Sequence, residues 1–276
     1  MNRDHRPLSI CLLGPLSLRL HGTPVTPSAP KQRQVLCLLA LNAGRVVTVP
    51  TLVEELWGDY PPRSYATTLQ TYILQLRNAL AAAHAGNPWA RQILSTRHFG
   101  YVLDEDACQT DVEVFDHLVR AGRAAFEAGD HRLAADELDR ALQLWRGPAM
   151  VDVRMGRVLE IEATSLEERR FGALERRIEA DLVLGRHADL LGELALAAAR
   201  NPMNENLCAF LMTALYRTGH VGRSLETFRR LRSVLNAELG VEPCPRLQRL
   251  QVAILSGDPA LEKWSMPRAR EGVASL

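Results

Sequence analysis

The stretch ATTLQTYILQLRNAL, residues 66–80, decides how this chain is read. At helical spacing Leu69, Ile73, Leu76 and Leu80 fall on one face, the signature of an amphipathic helix packed on a core. The remaining positions carry Thr67, Thr68, Thr71, Gln75, Arg77 and Asn78: hydroxyls, amides and a guanidinium, with no carboxylate. An exposed helical face usually mixes acids with bases for solubility. This one is built of donors and acceptors suited to a partner that repels carboxylates.

Working outward toward the N-terminus, the polar segment DYPPRS (59–64) cannot be helical because of Pro61-Pro62. A shorter helix, TLVEELWG, stops at Gly58, and a short extended segment, VVTVP, precedes it. Pro30 opens a further helix that runs through QVLCLLALNAG to near Gly44. Residues 8–25 read as a strand pair or short meander, broken at Gly14-Pro15 and at His21-Gly22. Toward the C-terminus, residues 84–92 form a loop, and ILSTRHFGYVLD gives two short strands around His98-Phe99-Gly100. Strands, three helices and a hairpin, in that order, make the layout of a winged helix-turn-helix. Its third helix enters the major groove and its wing lies along the backbone or minor groove.

The charge distribution points the same way. Residues 1–103 hold ten bases against four acids, +6, while the whole chain is +1 and the remainder therefore −5. No Asp or Glu occurs from Tyr60 through Leu103, and the opening helix sits inside that window. Such a surface suits a phosphate backbone.

Beyond residue 104 the pattern is almost wholly helical. Three turns recur, aligned on Gly129, Gly185 and Gly219, with Leu138, Leu194 and Phe228 nine residues further on and Ala141, Ala197 and Leu231 twelve further on. The last two turns are 34 residues apart, the period of a tetratricopeptide helix pair, and the first interval of 56 implies an inserted or longer helix. The expected fold class is mainly α: an N-terminal winged helix-turn-helix (α+β) over 1–104, an all-α tetratricopeptide-like domain over 105–257, and a flexible tail over 258–276, fraying from about Ser256. Five scattered cysteines without a CxxC pair read as reduced, mostly buried thiols. The absence of a long apolar run and of an N-terminal signal gives a cytoplasmic expectation with no membrane association. Nucleotide, zinc-protease and nucleophile-elbow motifs are lacking, so no enzymatic activity, catalytic residue, metal or cofactor is expected.

Several phrases together resemble one family. APKQRQVLCLLALNAGRVV, LVEELWGDYPP, TLQTYILQLRNAL and FGYVL are similar to the OmpR-type winged helix of the Streptomyces antibiotic regulatory protein family. DVEVFDHLV, ALQLWRGPAM, LEERRFGALERRIEADLVLGRH, LMTALYRTGH and ELGVEPCPRLQRL resemble the bacterial transcriptional activator domain that follows it there. The resemblance covers roughly residues 8–257, in order. It implies an activator of secondary-metabolite gene clusters that binds direct repeats in double-stranded DNA and recruits RNA polymerase through sigma and core subunits. The protein would act as a homodimer or as tandem protomers. Larger relatives carry an added NTPase domain, for which this chain is too short.

Residue roles follow from position and chemistry. Thr71 and Gln75, one turn apart and outward, are expected to contact bases, since Gln can bond adenine bidentately and a Thr methyl can meet a thymine methyl. Thr68, Tyr72 and Arg77 fit phosphate or sugar, and Arg97 at the wing fits a minor groove. Lys31 and Arg33 lie in the first turn of helix one, where the helix dipole disfavours cations unless an anion faces them. Asp59, Tyr60 and Arg63, in a loop long for a helix-turn-helix, are by the same resemblance the surface that meets RNA polymerase. Leu74 departs from the pattern: it faces outward, where it would meet a thymine methyl or a neighbouring subunit. A different reading makes the helical half a scaffold for a protein or small-molecule effector, with DNA contact secondary. It predicts a tight partner for residues 111–257 alone.

Overall fold

The strands come first because β-branched and apolar residues alternate with polar ones between glycine turns. In the computed structural model, which describes residues 6–83 and 92–262, β1 (Leu8–Cys11), β2 (Ser17–Leu20) and β3 (Thr23–Pro24) form an antiparallel meander as expected. Leu8, Ile10, Leu18 and Leu20 point inward from it. A strand that the sequence did not announce, Cys108–Thr110, pairs in parallel with β1, giving the order β3-β2-β1 and then this strand.

The helix-turn-helix consists of α1 (Pro30–Leu41), α2 (Val49–Trp57) and α3 (Tyr65–Ala83), with β4 (Val47–Thr48) between the first two. The wing is β5 (Leu94–Arg97) and β6 (Gly100–Leu103), and β4-β6-β5 make a second sheet. The Cys108–Thr110 strand is therefore β7. α1 packs against α2, α3 and β6, and Val35, Leu38, Leu39, Leu52, Leu69 and Ile73 fill the space between them. Gly100 is required where it stands, because a Cβ there would lie 2.1 Å from the Val47 carbonyl oxygen. The loop expected over 84–92 lies almost entirely outside the described residues.

Among the described residues, seven helices follow: α4 (Asp111–Glu127), α5 (His131–Gln143), α6 (Arg157–Val183), α7 (His187–Arg200), α8 (Glu205–Arg217), α9 (Val221–Leu239) and α10 (Pro245–Ser256). The chain forms two compact units, Met1–Ala121 with Asp139–Ala173, and Gly122–Leu138 with Leu174–Leu276.

In the first unit, the segment after α5 returns to the strands and helices of the N-terminal half. Asp111 accepts from the backbone N–H of Leu12 (2.7 Å) and Leu13 (3.0 Å). Burial pushes its carboxyl up while those two bonds and Arg146 pull it down. Glu55 of α2 is 2% exposed. It accepts from Gly156 N–H (2.6 Å) and Leu159 N–H (2.9 Å), capping the N-terminus of α6 from outside that helix.

In the second unit the three glycine turns are one motif repeated. Gly129, Gly185 and Gly219 have φ of +84°, +81° and +81°. The residue after each donates back five positions: Asp130 to Ala125, Arg186 to Asp181, and His220 to Leu215. This is the Schellman closure of a helix C-terminus. The next helix starts two residues after each glycine, and Leu138, Leu194 and Phe228 are buried as the alignment requires. The 56-residue interval is explained by α6, whose 27 residues run without a break. Chain expected to fray from Ser256 stays ordered further, since Pro259–Glu262 form a 3-10 turn and Leu261 packs with Leu250 and Ile254. The rest of that tail lies outside the described residues. Cys37, Cys108 and Cys208 are buried, and burial pushes the thiols of Cys108 and Cys208 up to about 12.

Candidate nucleic-acid interface

α3 buries Leu69, Ile73, Leu76 and Leu80 and exposes Thr67, Gln70, Thr71, Leu74, Gln75 and Asn78. At about 100° per residue, Thr67, Thr71, Leu74 and Asn78 make the stripe opposite the buried leucines, and Gln75 flanks it. Thr71 is exposed and its hydroxyl donates to the Thr67 carbonyl (2.9 Å). Gln75 is exposed too, and its Oε1 accepts from Nε2 of Gln32 on α1 (2.6 Å). That bond limits the rotamers of Gln75 while leaving its amide donors free. Thr68 is half-buried, donating to the Ser64 carbonyl (3.0 Å) at the start of α3, and Tyr72 is half-buried.

Arg77 takes a different position from the one its exposure in a helical projection suggests. Its Nε donates to the Leu94 carbonyl (2.8 Å) and its Nη2 to Thr96 Oγ1 (2.9 Å), fastening the wing to α3. The guanidinium planarity that suits phosphate also suits a strand edge. Arg97, by contrast, is exposed at the end of β5. At the tip, Phe99 holds φ of +66° with its ring 85% exposed, and its carbonyl accepts from Val49 N–H at the start of α2 (2.9 Å). A bulky residue with positive φ is uncommon, and such conformations concentrate at functional surfaces.

The cations of the first turn of α1 have partners inside the first unit. The Lys31 ammonium donates to the Leu56 carbonyl at the C-terminal end of α2, where the helix dipole favours a cation. Burial, and then Arg154, hold its pKa below the usual lysine range. Arg33 donates to the Pro27 carbonyl (3.2 Å) and pairs with Asp152 (2.5 Å). Asp152 lies 119 residues away, so no local pattern could have signalled that pairing.

Between α2 and α3, residues 58–64 are all exposed, and Tyr60 is 89% exposed. Asp59, Tyr60 and Arg63 thus share one surface loop. Thr67, Gln70, Asn78 and Phe99 are interface candidates to which the sequence alone gives no particular contact. The first three were detectable by the same helical projection that placed Thr71, whereas Phe99 carries no periodic signal. Among the described residues no cluster of three metal-ligating side chains occurs, and no helix is long and apolar enough to cross a membrane.

Residues 23–103 match the family described as "Transcriptional regulatory protein, C terminal", and residues 110–255 match the "Bacterial transcriptional activator domain". The regulatory protein DnrI of Streptomyces peucetius is 52% identical over 93% of this chain and 95% of its own length. The chain belongs to the Streptomyces antibiotic regulatory protein family of transcriptional regulators. Another relative, the transcriptional regulator RedD of Streptomyces coelicolor, is 36% identical over 95% of this chain and 75% of its own. The solved structure of Mycobacterium tuberculosis EmbR in complex with a low-affinity phosphopeptide superposes with a TM-score of 0.85 at 33% identity, covering 94% of this chain and 68% of that one. An OmpR-type winged helix followed by helical repeats is thus the fold of this regulator and of a solved relative.

Proposed function

We propose that this regulator activates the promoters of a secondary-metabolite gene cluster by binding direct repeats in double-stranded DNA as tandem protomers or a homodimer. α3 lies in the major groove, with Thr71 and Gln75 at base edges and Thr68 and Tyr72 against the backbone. Arg97 enters the adjacent minor groove. Arg77 serves the interface by holding the wing in place. Asp59, Tyr60 and Arg63 face RNA polymerase from the exposed loop before α3, and the protein works in the cytoplasm with the DNA it reads. The observation that carries this reading is the exposed, acid-free face of α3, with Gln75 already steadied by Gln32.

Selection of bound sequences from random duplex DNA by the full-length protein, at two salt concentrations, tests it. The expected result is an enriched short direct repeat that degrades with Gln75→Ala. Recovery of no motif, or of one indifferent to Gln75, overturns the placement of α3. A tight protein or small-molecule partner accompanied by unselective DNA binding would favour the scaffold role instead.

A further inference from the structure

The centre of the groove-facing stripe of α3 is apolar. Leu74 is 56% exposed, flanked one turn back by Gln70 and Thr71, two turns back by Thr67, and one turn on by Asn78. A solvent-facing helix position in this setting would ordinarily be polar. Leu74 is not at an edge of the exposed face, where a neighbouring protomer would approach along the DNA. It stands nearly opposite Leu69, Ile73, Leu76 and Leu80, which anchor the helix to its core.

Resting on the reading of α3 as the recognition helix, we propose that Leu74 is a specificity-determining residue that packs on the 5-methyl group of a thymine. The only apolar feature that the major groove presents is that methyl, and cytosine, adenine and guanine offer polar atoms there instead. An isobutyl group set among hydrogen-bonding side chains would be left dry and unrewarded against any of those three. Against thymine it removes the methyl from water. The hydroxyl of Thr71 is turned back onto the Thr67 carbonyl, and Leu74 stands one turn after Thr71 on the same exposed face, ahead of the polar side chains of Gln75 and Asn78.

The test uses the full-length protein and the direct-repeat duplex recovered by selection. Each thymine is replaced in turn by deoxyuridine, which deletes only the methyl group. For the unmodified protein, one position per half-site should lose about fourfold in affinity, the equivalent of about 0.8 kcal/mol per buried methyl. In Leu74→Ala, which keeps helix propensity at an exposed site, that same position should lose its sensitivity while the others respond as before. A circular-dichroism melt checks that the variant is folded. An unmodified protein indifferent to every uridine, or an L74A variant with the same uridine penalties, overturns the proposal. So does a defect of L74A seen only on two half-sites and not on one, which would mark a protomer contact. Failure of the unmodified protein to select any motif would instead bring down the reading of α3 itself.

Discussion

Replacing Glu55 by alanine should be among the most damaging single changes in the N-terminal half, although this residue touches no partner. Its carboxylate accepts from Gly156 and Leu159 N–H at 2.6 and 2.9 Å, and from Gln34 Nε2 at 3.3 Å. The first two groups are orphan donors at the start of α6, and hydrogen bonds to a charged acceptor contribute about 1.5–3 kcal/mol each. A buried carboxylate also costs desolvation, and its removal recovers part of the sum. Breaking a buried charged arrangement from one side nonetheless usually costs about 3–5 kcal/mol. About 3 kcal/mol is the expected net loss, near the lower end because the partners are neutral. For a unit of this size that lowers the melting temperature by about 6–12 °C. Glu55→Gln keeps one acceptor but turns an amide donor toward an N–H, so roughly half the loss should remain. Gly156→Ala attacks the same junction from the other side, because its Cβ would lie 2.1 Å from the Glu55 carbonyl oxygen. Thermal melts by circular dichroism, repeated as urea titrations, give the numbers. A Glu55→Ala protein melting within about 2 °C of the unmodified one would show that this carboxylate does not hold the start of α6, since two stranded N–H groups cannot be that cheap in a buried site.

Other outcomes separate roles that look alike in the sequence. Arg97→Ala should flatten the slope of log affinity against log salt by about 0.9, because a guanidinium in the minor groove neutralises about one phosphate charge. Arg77→Met should weaken binding with the slope unchanged, because that guanidinium is spent on Leu94 and Thr96; anisotropy titrations at several salt concentrations distinguish them. Gln32→Ala should relax selectivity at the position read by Gln75 by about threefold to tenfold, a fraction of the roughly 1–3 kcal/mol of a bidentate base contact, and repeating the sequence selection measures it. His187 accepts from Arg217 at 2.7 Å, and burial, then the Arg217 charge, hold its pKa below the usual 6.5 against an opposing bond to the Gly185 backbone. The unfolded chain then takes up a proton that the folded one refuses. Stability is full above pH 6.5 and falls as the pH drops below it, and urea midpoints of His187→Gln should show a shallower decline across that window.

The sequence makes the helix-turn-helix legible because its signals are local: a 3.6-residue leucine stripe, Pro30 at a helix start, Pro61-Pro62 in a loop and glycines at the turns. The repeat is legible for the same reason, since Gly129, Gly185 and Gly219 must each supply a left-handed residue. Features decided by long-range pairing stayed hidden. β7 is three residues long and exists only because β1 offers an edge. Glu55 looks like an ordinary acid in an amphipathic helix until Gly156, a hundred residues away, is brought to it. The partners of Lys31, Arg33 and Arg77 are hidden for the same reason: composition counts charges without showing which carbonyl or carboxylate already holds them.

That last point changes what can drive binding. The N-terminal half owes its +6 to ten bases, yet Arg6 is paired with Glu113, Arg33 with Asp152, and Lys31 and Arg77 are bound to carbonyls. Among the described residues, Arg45, Arg63 and Arg97 remain as exposed cations of the helix-turn-helix and wing. Three cations that each neutralise about one phosphate give a salt slope of only about −3 for one protomer, well short of the six to ten contacts typical of tight binders. A single half-site should therefore be held weakly at physiological salt. A second protomer bound beside the first doubles the slope to about −5 to −6 and converts weak sites into an effective one through high local concentration. Titrating duplexes that carry one and two half-sites between 50 and 200 mM salt, conditions over which such slopes are resolved, decides the matter. A slope near −6 on one half-site would mean that the cations held by carbonyls and carboxylates are released to the DNA, and the argument for tandem binding from charge would fall.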